Sequence, residues 1–186
     1  MTLTVTLQGA RDFEARFMAL PELAERAASI AINDAAREAV KMARRQIYRE
    51  IAFPAGYLER EDRLTVSRPA TRQILEAVVS GRDRPTSLAR FVPEGTQVGR
   101  RGGTPITITV APGQPKIAVS GNLHLRTFGG NRLLILKLKP GQRPSAAYKP
   151  KPIFGPSSGM WILYGPSVDQ IFRGVSADIS PAVQDY

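Results

Sequence analysis

Chemistry needs side chains that can carry it, and this chain holds few. It has one histidine and no cysteine. His124 is therefore the only acid–base side chain with an ordinary pKa near neutrality. It lies in Asn122-Leu123-His124-Leu125-Arg126, an alternation that places it on the solvent side of a strand. Without cysteine, thiolate zinc sites, Cys/His dyads and disulfides drop out. Glu59, Glu61 and Asp62 cluster in sequence, but Arg60 and Arg63 stand among them, so ion pairing is expected rather than metal binding. The glycine-rich run Gly99-Arg100-Arg101-Gly102-Gly103 lacks the spacing of a phosphate-binding loop, and no serine sits in a G-x-S-x-G elbow. The chain reads as a non-enzyme with no cofactor and no metal.

What it has instead is positive charge. There are 26 basic and 16 acidic side chains, a formal charge of +10. From Gly95 to Val168 there is no Asp or Glu, while ten basic residues fall there. Eight are candidates to face DNA: Arg100, Arg101, Arg126, Arg132, Lys137, Lys139, Lys149 and Lys151. A one-sign field repels itself, so it is expected to face a polyanion or an acidic partner. Two function classes fit. A nucleic-acid-binding protein should interleave aromatics for base stacking or offer a recognition helix. Phe128 and Tyr148 are the only aromatics of that stretch before Phe154 and Trp161, and no recognition signature is present. A structural assembly component should instead carry hairpins and proline-rich arms, as residues 93–160 do.

The elements that must position these residues can be read from periodicity. The length of 186 residues suits one domain over 1–186, and no apolar run approaches a membrane span or a signal peptide. Residues 1–24 read as a strand (Leu3, Val5 and Leu7 on one face) and a short helix capped by Asp12. Pro21 to Ile51 contains no further Pro and no Gly, and predicts a long helix. Its apolar stripe is read as Leu23, Ala27, Ile30, Ile32, Ala36, Ala39, Ala43, Ile47 and Ile51, with Arg37, Lys41, Arg44, Arg45 and Arg49 on the solvent side. Phe53 to Gly56 breaks it, and Tyr57 to Arg60 makes one helical turn. RLTVSR (63–68), with Arg63 outward and Leu64 inward, and 73–80 form an antiparallel pair around Pro69-Ala70-Thr71. Further strands are expected over 88–92, 105–110, 116–125 and 132–138. The segments 93–105 and 140–160 read as an extended loop and a proline-rich arm. The architecture is α+β, one long helix packed on a mainly antiparallel sheet.

Near the end, LYGPSVDQIF (163–172) has a tight local logic. Gly165-Pro166 reads as a turn using the conformational freedom of glycine, and Ser167 as the cap of a short helix, Val168 to Phe172. Trp161, Leu163, Tyr164, Gly165, Pro166, Val168, Ile171 and Phe172 form a hook toward either the core or a neighbouring subunit.

The order of parts resembles the prophage minor tail protein Z family, the lambda-like tail completion proteins. The resemblance runs over about residues 25–173. It rests on AINDAAREAVKMARRQI, PAGYLER leading into RLTVSR, ILEAVVSGRDRP, SLARF, and above all LYGPSVDQIF. It implies a structural virion protein at the head-proximal end of a long non-contractile tail, needed for head–tail joining and for positioning the DNA end. It implies a homo-oligomer, as a hexameric ring around a DNA channel. The neighbours would be tail terminator and tail tube proteins and head-side connector or stopper proteins, with sequence-independent DNA contact and no membrane. Assembly would take place in the bacterial host cytoplasm.

Overall fold

A computed structural model describes residues 3–6, 21–93, 95–96, 105–113, 117–119, 121–128, 131–146 and 149–184. The expected short helix after Asp12, and Arg100, Arg101, Lys116 and Tyr148, lie outside the described residues. The class is α+β, as expected. The chain divides into two compact units: residues 1–47, 56–83 and 168–186, and residues 48–55 and 84–167.

The long helix α1 is Pro21–Glu50, its residues up to Ile47 in the first unit. Thirty residues without an internal Gly or Pro favour it, with Pro21 in the first turn, Glu22 toward its positive end and Arg49 toward its negative one. The phase of its buried seam differs from expectation. Leu23 and Ile30 are 58% and 52% exposed, and Ala27 is also exposed. The seam is Ala28, Ile32, Ala36, Ala39, Ala43 and Ile47. Ile30 and Ile32 stand about 200° apart around a helix and cannot share a face. The alanine-rich spacing that starts at Ile32 takes the core. Two long-range ties hold α1 to residues 64–70. The Asn33 amide donates to Ala70 O at 2.9 Å and accepts from Ala70 N at 2.8 Å. Arg44, expected in solvent, is half-buried and donates to Leu64 O at 2.8 Å.

β1 (Leu3–Thr6), β2 (Leu64–Arg68) and β3 (Glu76–Gly81) form a three-stranded antiparallel sheet in the order β1-β3-β2. Leu3 lies opposite Val79 and Leu64 opposite Gly81, with an irregularity between Val66 and Arg68. Leu64, Ala77 and Val79 are buried. The C-terminal helix α2, Val168–Gln184, is longer than the expected single turn. The reason is a stripe beyond Phe172: Val168, Ile171, Phe172, Val175 and Ile179 are all buried at helical spacing. Its first turn runs hard against β3. A Cβ built on Gly81 would lie 2.9 Å from both Cα and N of Asp169, so only glycine fits there.

The second unit is built from hairpins. β7 (Asn122–Phe128) and β8 (Asn131–Lys137) pair antiparallel, and β10 (Met160–Ile162) and β9 (Lys151–Pro152) extend them in the order β7-β8-β10-β9. Part of the proline-rich arm is thus a strand edge. β5 (Ile106–Ile108) pairs with β6 (Ile117–Val119), and β4 (Pro85–Ser87) with β11 (Tyr164–Ser167). Leu88–Phe91, expected as a strand, is a 3-10 turn; Ser87 Oγ accepts from Ala89 N at 3.3 Å. Leu88, Ala89 and Phe91 are all buried. Phe91 stacks on Phe53 with ring centroids 5.4 Å apart.

Gly165 is also not as expected. It lies inside β11 with no positive φ, so the chain does not turn there. It is needed for space: a Cβ would sit 3.2 Å from Leu88 Cδ2 and 3.8 Å from Phe91 Cε2. Trp161, Leu163, Gly165, Val168, Ile171 and Phe172 are buried within the chain, while Tyr164 and Pro166 are half-exposed.

Candidate polyanion-facing surface

The two units differ sharply in charge. The first carries 13 basic and 14 acidic side chains, the second 13 basic and 2 acidic. The net values of −1 and +11 make up the chain's +10, so the second unit accounts for all of it. In the first unit cations are matched locally: Arg37 with Asp34, Lys41 with Glu38, Arg68 with Glu76, Arg173 with Asp169.

In the second unit the strand register sorts the cations. Opposed residues of an antiparallel pair share a face, and alternate residues along a strand share it too. Asn122 lies opposite Lys137, His124 opposite Ile135, Arg126 opposite Leu133 and Phe128 opposite Asn131. Across the next two pairings, Lys137 faces Met160, Ile135 faces Ile162, and Ile162 faces Lys151. One face of the four-stranded sheet therefore carries His124, Arg126, Phe128, Lys137 and Lys151. Arg126, Lys137 and Lys151 are exposed, around Leu133, Met160 and Ile162, which are half-buried, and Ile135, which is buried. The other face carries Leu123, Leu134, Leu136 and Trp161, all buried. From strand spacing and rise, the Lys137 and Lys151 Cα atoms stand about 12 Å apart. That separation lets two ammonium groups meet different phosphates of one backbone.

The remaining candidates fall elsewhere. Arg132 lies opposite Thr127 on the other face, half-buried, and so is separated from that set. Lys139 is exposed just beyond β8, and Lys149 is exposed with a φ of 41°. The Lys151 ammonium also lies 5.7 Å from the Tyr164 ring centroid, a cation–π distance. His124 is half-buried on the exposed sheet face, and among the described residues no group of three His, Asp or Glu is placed to hold a metal.

Sequence reasoning missed one site altogether. Arg63 is 4% exposed, although its strand alternation puts it outward. Its Nη1 donates to Tyr57 O at 2.8 Å, and its guanidinium lies 3.9 Å from the Tyr57 ring centroid. Arg63 Nη2 and Arg82 Nη1 both reach Glu61 Oε2, at 2.8 and 2.9 Å. The Arg63 hydrogen bond, then its charge, holds the Glu61 carboxyl below the usual carboxylate range, with Arg82 adding to both effects. The one sequence signal was the acid cluster beside Arg60 and Arg63, which correctly implied pairing for Glu61 but not the burial of Arg63.

No described helix is long and apolar enough to cross a membrane. Neither a protein-family model, nor a curated protein, nor a solved structure matches the chain.

Proposed function

We propose that this chain is a structural tail-completion protein of a bacteriophage. It acts at the head-proximal end of a long non-contractile tail, where heads and tails join. The observation that supports the reading is the concentration of charge in the second unit, with Arg126, Lys137 and Lys151 on one exposed sheet face. Such a face suits sequence-independent contact with the phosphates of DNA passing through a channel, because it offers charge without base-reading geometry. Copies of the chain form a closed ring, hexameric in the resemblance given above, between tail terminator and tube proteins and head-side connector or stopper proteins. The role is mechanical and electrostatic rather than catalytic.

The test is genetic and structural. Deleting the gene in the phage or prophage that encodes it should leave filled heads and finished tails unjoined. A charge-reversed face (Arg126→Glu, Lys137→Glu, Lys151→Glu) should fold with wild-type circular dichroism yet give the same unjoined particles. Native mass spectrometry should find the free chain as a monomer or weak oligomer, and cryo-electron microscopy of the neck should find a ring. Normal infectious particles from either variant would overturn the proposal.

A second reading is direct nucleic-acid binding, favoured by Phe128, 79% exposed on the same face as Arg126. It requires nanomolar, sequence-dependent binding by the free chain at physiological salt. Weak and sequence-indifferent binding rejects it.

A further inference from the structure

We propose that Arg63, Arg82 and Tyr57 form a carboxylate-binding site, held closed in this structure by the chain's own Glu61, which an acidic side chain of a partner protein displaces. The receptor half of the site is set without Glu61. Arg63 is buried, stacked on Tyr57 and bonded to Tyr57 O. Arg82 Nη2 donates to Tyr57 Oη at 3.3 Å, and Arg82 N donates to Arg63 O at 2.8 Å. Two guanidinium groups are therefore locked side by side, with a third polar group beside them.

The occupant, by contrast, is poorly seated. Glu61 serves both arginines through the same oxygen, whereas a planar guanidinium binds best when each donor meets its own oxygen. Among the described residues, Nε of Arg63 and Nε of Arg82 are buried without a hydrogen-bond partner, so neither fork is filled. Glu61 reaches the site from a backbone that resists it. Glu61 and Asp62 have φ of 56° and 49°, two successive left-handed residues without a glycine. The Glu61 side chain is 64% exposed, so the site opens to solvent. An incoming carboxylate can take its place, and the loop can then relax. The ligand chemistry is the carboxylate itself, since that is the group the arginines already hold. The site lies in the near-neutral unit.

The probe is a triglutamate peptide blocked at both ends. Glu61→Gln removes the competing charge at constant size, and the peptide should bind this variant about tenfold more tightly than wild type, the ratio expected from one charge-assisted bond. Adding Arg82→Gln should abolish the gain. Adding Arg126→Gln, Lys137→Gln and Lys151→Gln should leave the gain intact, which separates this site from diffuse attraction to the basic sheet. In wild type, saturating peptide should move the Glu61 side-chain carboxyl carbon resonance toward that of an unpaired glutamate. The proposal is overturned by equal peptide affinity in Glu61→Gln and wild type, by a gain that survives Arg82→Gln, or by a Glu61 resonance that the peptide leaves in place. It is also overturned if inorganic phosphate competes more strongly than the peptide.

Discussion

Replacing Gly165 tests whether this glycine is required for its space or for its backbone conformation. Its φ lies outside the left-handed region, so an L-residue meets no conformational penalty there. A Cβ would lie 3.2 Å from Leu88 Cδ2, closer than ordinary van der Waals contact, and 3.8 Å from Phe91 Cε2 and Thr86 O. Leu88 and Phe91 are 3% and 4% exposed and have little room to withdraw. Alanine asks Leu88 to move a few tenths of an ångström, and it gains about 0.4–1 kcal/mol from a less flexible unfolded chain. Gly165→Ala should therefore stay within about 1 kcal/mol of wild type. Valine adds two methyl groups against the same neighbours, an overpacking cost of about 1–3 kcal/mol. At about 2–4 °C per kcal/mol for a chain of this size, that lowers Tm by about 2–12 °C. Urea unfolding followed by circular dichroism measures both variants. Leu88→Ala should recover part of the Gly165→Val loss by opening room, giving a favourable coupling in the double-mutant cycle. Equal costs for alanine and valine would show that backbone conformation controls the site and would refute the packing argument. A valine variant as stable as wild type would refute it too.

The sheet face makes an electrostatic prediction. Neutralising Arg126, Lys137 and Lys151 to Gln should reduce the slope of log K against log salt for a short duplex by about 2.7, and weaken binding about 500-fold at 0.1 M salt; fluorescence anisotropy showing an unchanged slope would place the phosphate contacts elsewhere. Gly81→Ala should cost about 1–3 kcal/mol, because its Cβ would meet backbone atoms of Asp169 rather than a yielding side chain; a melt matching wild type would contradict the close approach of α2 to β3. Glu61 has a depressed pKa, so its pairing with Arg63 and Arg82 contributes stability above its unfolded pKa, and that contribution is lost as pH falls through the lower folded value. Carbon-13 titration should place its midpoint below that of an ordinary glutamate, and a midpoint at or above that value would count against the paired geometry.

Much of the local structure was open to reading from the chain alone. Composition and the lack of breakers were enough for α1, because helix formation there depends on near neighbours. Two-residue alternation around Pro69-Ala70-Thr71 was enough for the antiparallel β2–β3 pair. The acid-free run was visible by inspection, and it falls almost wholly within the second unit.

Other features were decided only in the folded chain. Both Ile30 and Ile32 are strong apolar residues; which one is buried depends on what packs against α1, and no local rule chooses. Arg63 follows a polar–apolar alternation outward, yet Tyr57 and Glu61 give its charge partners that make burial tolerable. Gly165 beside Pro166 has the pattern of a turn, but pairing with β4 keeps it extended and makes volume the constraint. Alternation alone separates Arg132 from Lys137, five residues apart in β8, but only the pairing of β9 and β8 with β10 brings Lys151 to the face of Lys137. Local patterns reflect the backbone's own preferences over a few residues. The phase of a helix, the burial of a charge and the face on which cations gather depend on pairings between distant segments, which form only when those segments bury apolar surface together.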